Sequence, residues 1–190
     1  MAIEVTGVAL SGGEGRRVGG ADKGLMTLHG REFVDYVLSE MTTLCSTTLL
    51  SINRNELAYR SIAERYENVS LLFDRPEYAH QGPLSGLLVA LENATTSHVL
   101  VCPCDTPFIS RDLFAALLKM AQASPAGAFY IQAHNKTHPL HAILPVEAAL
   151  TQLKSFLQQG DRRVMKFLAS IQALPLFWLN DDELINLNYG

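Results

Sequence analysis

The chain has 190 residues, 48% of them hydrophobic, and a formal charge of −4 that arises from 15 Lys and Arg against 19 Asp and Glu. This length can bury one substantial core, and we expect a single domain spanning residues 1–190. The acidic balance excludes a general basic field for a nucleic acid backbone. An anionic ligand must therefore meet a local cluster of cations.

The chain carries few signs of secretion or membrane insertion. Its three cysteines, Cys45, Cys102 and Cys104, do not form a disulfide framework, and the N-terminus lacks the charged and apolar regions of a signal peptide. Apolar runs such as residues 99–102 are far shorter than the roughly 18 residues of a membrane-spanning helix. We expect a soluble, cytoplasmic protein whose partners include neither nucleic acid nor membrane.

The first two thirds of the chain alternate β-rich runs with helix-like segments, which is typical of parallel strands joined by crossover helices. We predict strands at residues 5–10, 47–52, 69–73 and 98–104. We predict helices at residues 32–43, 57–66, 84–93 and 112–123, the last with Ser110 as its N-cap. The fold class is therefore α/β.

The pattern changes after residue 124. Residues 128–133 and 140–144 flank a polar segment and predict an antiparallel pair, which we expect to be a small insertion over the active face. Helices are predicted at residues 146–158 and 163–170, and a last strand at 174–179.

The first strand leads into a glycine-rich segment, residues 10–24, with six glycines and three cations. Glycines let backbone N–H groups approach phosphate oxygens, while Arg16 and Lys23 can neutralise charge during phosphoryl chemistry. A flexible surface loop is the alternative interpretation. The segment is not a P-loop, because Gly24 follows Lys23 where a hydroxyl residue belongs, and it is not a clean Rossmann fingerprint.

With its Gly-Gly pair and Asp22-Lys23, this segment closely resembles the signature of nucleotidyltransferases, as found in molybdenum cofactor guanylyltransferases. The resemblance implies a Rossmann-like three-layer nucleotidyltransferase fold with a mostly parallel sheet and a small antiparallel insertion. It also implies nucleotide contacts from the segment, at Leu10, Ser11, Gly12, Gly13 and Lys23.

Asp105 ends the predicted strand at residues 98–104, so its carboxylate should emerge at the carboxyl edge of the sheet, where open α/β folds bind ligands. A hard oxygen ligand there suits Mg²⁺. The alternative is an aspartate that caps the next helix, but Ser110 is the better cap. The resemblance supports a metal-binding and catalytic role for Asp105.

Asp74 stands in the same relation to its own strand, and the turn at Gly82 opens the next helix with backbone donors available to an anion. The resemblance implies that Asp74 contacts the nucleotide and that the turn lines the site; a turn aspartate beside a helix start is the alternative. The neighbouring strand carries a departure: Ser51 occupies a position where relatives often have asparagine, although Asn53-Arg54 is retained.

The second half offers candidates for the other substrate. Arg162 and Arg163 place adjacent guanidinium groups at a helix start, either for an anion or as a solvated face. The resemblance favours contact with the pterin phosphate, and it implies that Asn186 and Asn188 face the active site. His138 and His141, three residues apart on a strand, should point to opposite faces, which argues against a metal site. Cys102 and Cys104 lack the further ligands of a zinc site.

The resemblance implies a reaction in which a phosphate oxygen of molybdopterin attacks the α-phosphate of GTP and pyrophosphate leaves. GTP and molybdopterin would be the substrates, Mg²⁺ the cofactor on Asp105, and chaperones of molybdoenzymes further candidate partners. Arg16 and Lys23 would hold the triphosphate. The alternatives are a CTP-dependent cytidylyltransferase, a sugar-phosphate nucleotidyltransferase, and a non-catalytic GTP- or cofactor-binding protein.

Overall fold

A seven-stranded sheet forms the centre of the protein in a computed structural model, which describes residues 2–12, 20–78 and 81–187. The strands of this sheet are β1 (Val5–Leu10), β4 (Thr47–Ile52), β5 (Val69–Phe73), β6 (His98–Pro103), β7 (Phe129–Gln132), β8 (Thr137–Pro145) and β9 (Leu174–Phe177). Their order is β5-β4-β1-β6-β8-β7-β9, and only β8 runs against the others. A short hairpin of β2 (Thr27–Leu28) and β3 (Arg31–Glu32) lies apart from it.

Helices cover both faces of the sheet. They are α1 (Phe33–Met41), α2 (Glu56–Ala63), α3 (Pro83–Asn93), α4 (Arg111–Ala123), α5 (Val146–Gln158) and α6 (Val164–Ser170). Alternate residues of a strand point to opposite faces. Accordingly Val8 packs in the cluster of α3, α5 and α6, while the adjacent Ala9 packs in the cluster of α1 and α2. Helix α4 packs with α1 on the latter side. The result is the expected three-layer fold.

The predicted elements are confirmed, and four of them agree with the structure to the residue: β1, β4, β5 and α5. The antiparallel pair is also confirmed as β7 and β8. It does not cover the active face as we expected, because β8 pairs with β6 and both strands extend the main sheet. The β2–β3 hairpin and a 3-10 helix at Lys23–Leu25 were not predicted. Within the described ranges, no helix has both the length and the apolar character needed to cross a membrane.

Candidate active site at the carboxyl edge of the sheet

The carboxyl ends of β1, β4, β5 and β6 meet at one edge, because these four strands are parallel neighbours. Backbone hydrogen bonds continue beyond the strands, from Ser11 N to the Ser51 carbonyl (2.9 Å) and from Cys104 N to the Leu10 carbonyl (3.1 Å). Asp74 follows β5 directly, and Asp105 lies two residues after the end of β6. The structure therefore brings the predicted carboxylates and the start of the glycine-rich segment to the same edge.

Asp105 contacts two other predicted site residues at this edge. Its Oδ2 is 3.9 Å from Lys23 Nζ and accepts a hydrogen bond of 2.7 Å from Asn186 Nδ2. The backbone N–H of Leu187 donates to the Asp105 carbonyl at 3.2 Å. The side chains of Lys23 and Asp105 are 24% and 20% exposed, so the pair is open to a ligand. Three predicted site residues, distant in sequence, thus form one cluster.

The oxygens of this cluster fit Mg²⁺. The ion prefers one or two carboxylates and keeps its other positions for water and substrate phosphates. Asp105 supplies a carboxylate, and Asn186 Oδ1 is buried without a hydrogen-bond partner among the described residues, so a second hard oxygen lies beside it. The described residues contain no group of three or more His, Cys, Asp or Glu that could hold a metal by themselves. Such a site would therefore be completed by water and phosphate.

Asp74 lies near Gly12 and the start of α3. Its Oδ2 is 3.3 Å from Ser85 Oγ, and a methyl group added to Gly12 would lie 3.8 Å from the same oxygen. Gly82 precedes α3 with a φ of +89°, a conformation that glycine adopts without strain, and Pro83 begins the helix. Ser85 Oγ also lies 2.8 Å from the Gly82 carbonyl, so Asp74 and the Gly82 turn lie together at this edge of the sheet.

The neighbouring residues Arg162 and Arg163 have different partners. Arg162 Nε donates to Gln81 Oε1 at 3.0 Å, which places it beside the Gly82 turn. Arg163 binds Asp161 through a 2.8 Å ion pair, with its side chain 70% exposed. That contact lowers the pKa of Asp161 below its usual range. Arg162 is thus the member of the pair that approaches the cleft.

The two histidines do not point to opposite faces as we predicted. The pairing of β7 with β8 shifts in register between Tyr130 and Ile131, and this irregularity brings the rings of His138 and His141 into edge contact, 5.5 Å apart. His141 Nε2 lies 2.8 Å from Thr106 Oγ1, next to Asp105 in sequence. Burial lowers the pKa of His141 to about 3, so its ring is neutral. His141 is a packed structural residue.

Cys102 and Cys104 are free thiols buried in the core. Burial raises the pKa of Cys104 to about 12, which makes its thiol unreactive at neutral pH. Of the other predicted site residues, Gly13, Arg16 and Asn188 lie outside the described residues.

Tyr59 contacts the predicted site residue Ser11, and Asn55 contacts Asp22 of the glycine-rich segment, but neither was predicted from the sequence. Ser85 lies in the turn at Gly82, which was expected to line the site, and it contacts Asp74. Tyr59 shares a helix face with buried Ile62 and Ala63, so its spacing is that of a core residue. The Asn53-Arg54 pair, which lies shortly before Tyr59 and matches the family pattern, was the sequence feature that pointed to this segment.

Residues 7–174 match the model of the MobA-like NTP transferase domain. A molybdenum cofactor guanylyltransferase of Histophilus somni (strain 2336) is 32% identical over 99% of this chain and 93% of that protein, and one of Yersinia pseudotuberculosis (strain IP 31758) is 34% identical over 99% and 92%. The chain belongs to the molybdenum cofactor guanylyltransferase family.

Structural similarity agrees with this family. Molybdopterin-guanine dinucleotide biosynthesis protein A of Archaeoglobus fulgidus has a TM-score of 0.74 at 22% identity, covering 96% of this chain and 92% of that one. The 4-diphosphocytidyl-2C-methyl-D-erythritol synthase of Anaerococcus prevotii has a TM-score of 0.79 at 11% identity, covering 99% and 92%. At these identities the likeness shows a shared fold. As a molybdenum cofactor guanylyltransferase family member, the chain is a nucleotidyltransferase of molybdenum cofactor biosynthesis.

Proposed function

We propose that this protein transfers GMP from GTP to the phosphate of molybdopterin, giving molybdopterin guanine dinucleotide and pyrophosphate. The observation that carries the proposal is the cluster of Asp105, Lys23 and Asn186 at the carboxyl edge, in a chain that belongs to this family. The joining of two anionic substrates requires neutralisation of their negative charge. A carboxylate that binds a cation and an adjacent ammonium that binds phosphate can supply it.

Catalysis in this proposal rests on positioning and charge neutralisation, so no side-chain nucleophile is needed. Asp105 would hold Mg²⁺ with the oxygen of Asn186 beside it, and the ion would supply positive charge at the reacting phosphates. Lys23 and Arg16 would bind the triphosphate and the leaving pyrophosphate. Lys23 Nζ and Asp105 Oδ2 lie 3.9 Å apart, which supports a role in which Lys23 and a cation on Asp105 contact the same phosphate.

We assign nucleotide binding to Leu10, Ser11, Gly12, Gly13 and Asp74, together with Lys23 and Asp105. We assign the pterin substrate to Gly82, Arg162, Arg163, Asn186 and Asn188. The contact of Arg162 with Gln81 supports a larger role for Arg162 than for Arg163, whose guanidinium is engaged by Asp161. Arg162→Ala should therefore raise the KM for molybdopterin more than Arg163→Ala does.

The test is pyrophosphate release and dinucleotide formation by the purified protein with GTP, molybdopterin and Mg²⁺. We expect Asp105→Ala to abolish turnover and Lys23→Ala to lower kcat by about 10²–10³, the usual loss for a preorganised electrostatic contact. Asp112→Ala is the matched control, because Asp112 is an exposed carboxylate on α4 away from the edge, and it should retain the wild-type rate.

Three results would each contradict part of the proposal. Near-normal turnover of Asp105→Ala at saturating Mg²⁺ would remove Asp105 from the metal role. Transfer from CTP in preference to GTP, in a panel that also includes ATP and UTP, would make the protein a cytidylyltransferase. Binding of GTP without any transfer would point to the non-catalytic alternative.

A further inference from the structure

The segment that follows β4 holds both ends of the glycine-rich loop. Asn53 Nδ2 donates to the carbonyl of Gly12, and Arg54 Nη1 donates to the carbonyl of Gly20 at 2.8 Å. Gly12 and Gly20 are the described residues on either side of residues 13–19. Two consecutive side chains thus fix the entry and the exit of this loop.

Tyr59 on α2 connects two residues that lie next to these ends in sequence, Ser11 and Asp22. Its ring is fully buried, its hydroxyl lies 2.7 Å from Ser11 Oγ, and it also binds Asp22 Oδ1. Burial raises the pKa of Tyr59 well above its usual value, so the hydroxyl stays protonated. Because the Asp22 carboxylate can only accept, Tyr59 donates to Asp22 and accepts from Ser11.

Asp22 in turn forms hydrogen bonds with residues on α2 and next to Lys23. Its Oδ1 accepts from Gly24 N at 3.2 Å and so caps the 3-10 helix Lys23–Leu25, while its Oδ2 accepts from Asn55 Nδ2 at 3.0 Å. Hydrogen bonds thus fix the backbone on both sides of Lys23. The Lys23 ammonium consequently lies within reach of Asp105.

We infer that Tyr59 is a positioning residue for Lys23: its hydroxyl couples Ser11 at the end of β1 to Asp22 and holds the lysine toward Asp105. This inference rests on the proposed function in one respect, the role of Lys23 on the triphosphate. The competing interpretation is a core tyrosine whose ring fills space and whose hydroxyl is only satisfied. Tyr59→Phe separates the two, because it keeps the ring and removes the coupling.

Tyr66 provides a matched control. Its hydroxyl also binds a carboxylate, Asp35 Oδ1 at 2.6 Å, and lies 3.3 Å from the Asp35 carbonyl, on α1 rather than in the glycine-rich segment. Tyr66→Phe therefore removes a comparable hydroxyl–carboxylate bond elsewhere in the molecule. A general loss of stability would affect both variants, whereas a loss of lysine positioning would affect Tyr59→Phe alone.

The first measurement is steady-state kinetics of GMP transfer with the full chain. We expect Tyr59→Phe to lower kcat by about 10-fold, less than removal of Lys23 itself, and Tyr66→Phe to match the wild type. In a Lys23→Ala background, Tyr59→Phe should cause no further loss, since the group it positions is absent. Wild-type kcat for Tyr59→Phe, or a full additional loss in the Lys23→Ala background, would overturn the inference.

The second measurement does not depend on activity. Amide hydrogen exchange of residues 23–26 should accelerate by about fivefold in Tyr59→Phe and remain unchanged in Tyr66→Phe, in line with the loss of one supporting hydrogen bond. A wild-type protein that does not transfer GMP would refute the proposed function, and the exchange result would still decide the coupling. Equal exchange in wild type and Tyr59→Phe would refute the coupling even in an active enzyme.

Discussion

Gly24 lies where the Tyr59 connection leaves no room for a side chain. A methyl group added there would overlap Ser11 Oγ and the Tyr59 hydroxyl and lie 3.2 Å from Tyr59 Cε1. The Tyr59 ring is fully buried and cannot move aside freely. Forcing a methyl group into a packed interior costs about 1–3 kcal/mol, and breaking a hydrogen bond between Ser11 and Tyr59 adds about 1 kcal/mol. Gly24→Ala should therefore reduce the free energy of unfolding by about 2–4 kcal/mol.

Urea unfolding followed by circular dichroism measures this change, and Gly30→Ala is its control. Gly30 has a φ of +77°, and apart from its chain neighbours no described residue has an atom within 4 Å of an added methyl group, so alanine there costs only backbone strain, about 1 kcal/mol. The ordering of the two variants is the critical result. A Gly24→Ala protein as stable as the wild type, or more stable than Gly30→Ala, would show that the packing around Gly24 is looser than the structure indicates.

Two further predictions concern stability. The pKa of His141 is lowered to about 3 in the folded state, against about 6.5 when unfolded, so the neutral ring contributes stability that is present above pH 6.5 and is lost as the pH falls below it. From this group we expect a loss of about 1.4 kcal/mol between pH 7.5 and 5.5, measured by urea unfolding and reduced in His141→Gln; an equal loss in both proteins would contradict it. Ser110 caps α4 by accepting from Leu113 N at 3.2 Å, so Ser110→Ala should cost about 1 kcal/mol while Ser110→Asp retains stability. Equal unfolding midpoints for the two Ser110 variants would contradict this assignment.

Local patterns were sufficient to predict most elements of the fold. The β-branched and apolar run of β4 and the helical spacing of α5 each indicate one structure, and their bounds agree with the structure. Local patterns do not determine which strands pair with each other. That β7 and β8 form an antiparallel pair follows from their proximity in sequence, but the pairing of β8 with β6 is a long-range contact that no local pattern specifies.

The same distinction applies to the site. Asp74 and Asp105 were predicted because both follow apolar strands, and parallel strands end at one edge. The bond between Asn186 and Asp105 joins residues 81 positions apart, and only the resemblance to a family placed Asn186 in the cleft. Neighbouring Arg162 and Arg163 are equivalent in sequence, and their different partners are set by tertiary packing.

The hydrogen bonds from Asn53 to Gly12 and from Arg54 to Gly20 affect the entropy of substrate binding. A loop that orders around a ligand loses conformational freedom, and part of that loss comes from bringing its ends together. Gly12 and Gly20 are already held in place in the folded protein, so under the proposed function nucleotide binding would not include the entropy cost of bringing these two residues together. The hydrogen bonds from Asn53 and Arg54 would thus move that cost from ligand binding to folding.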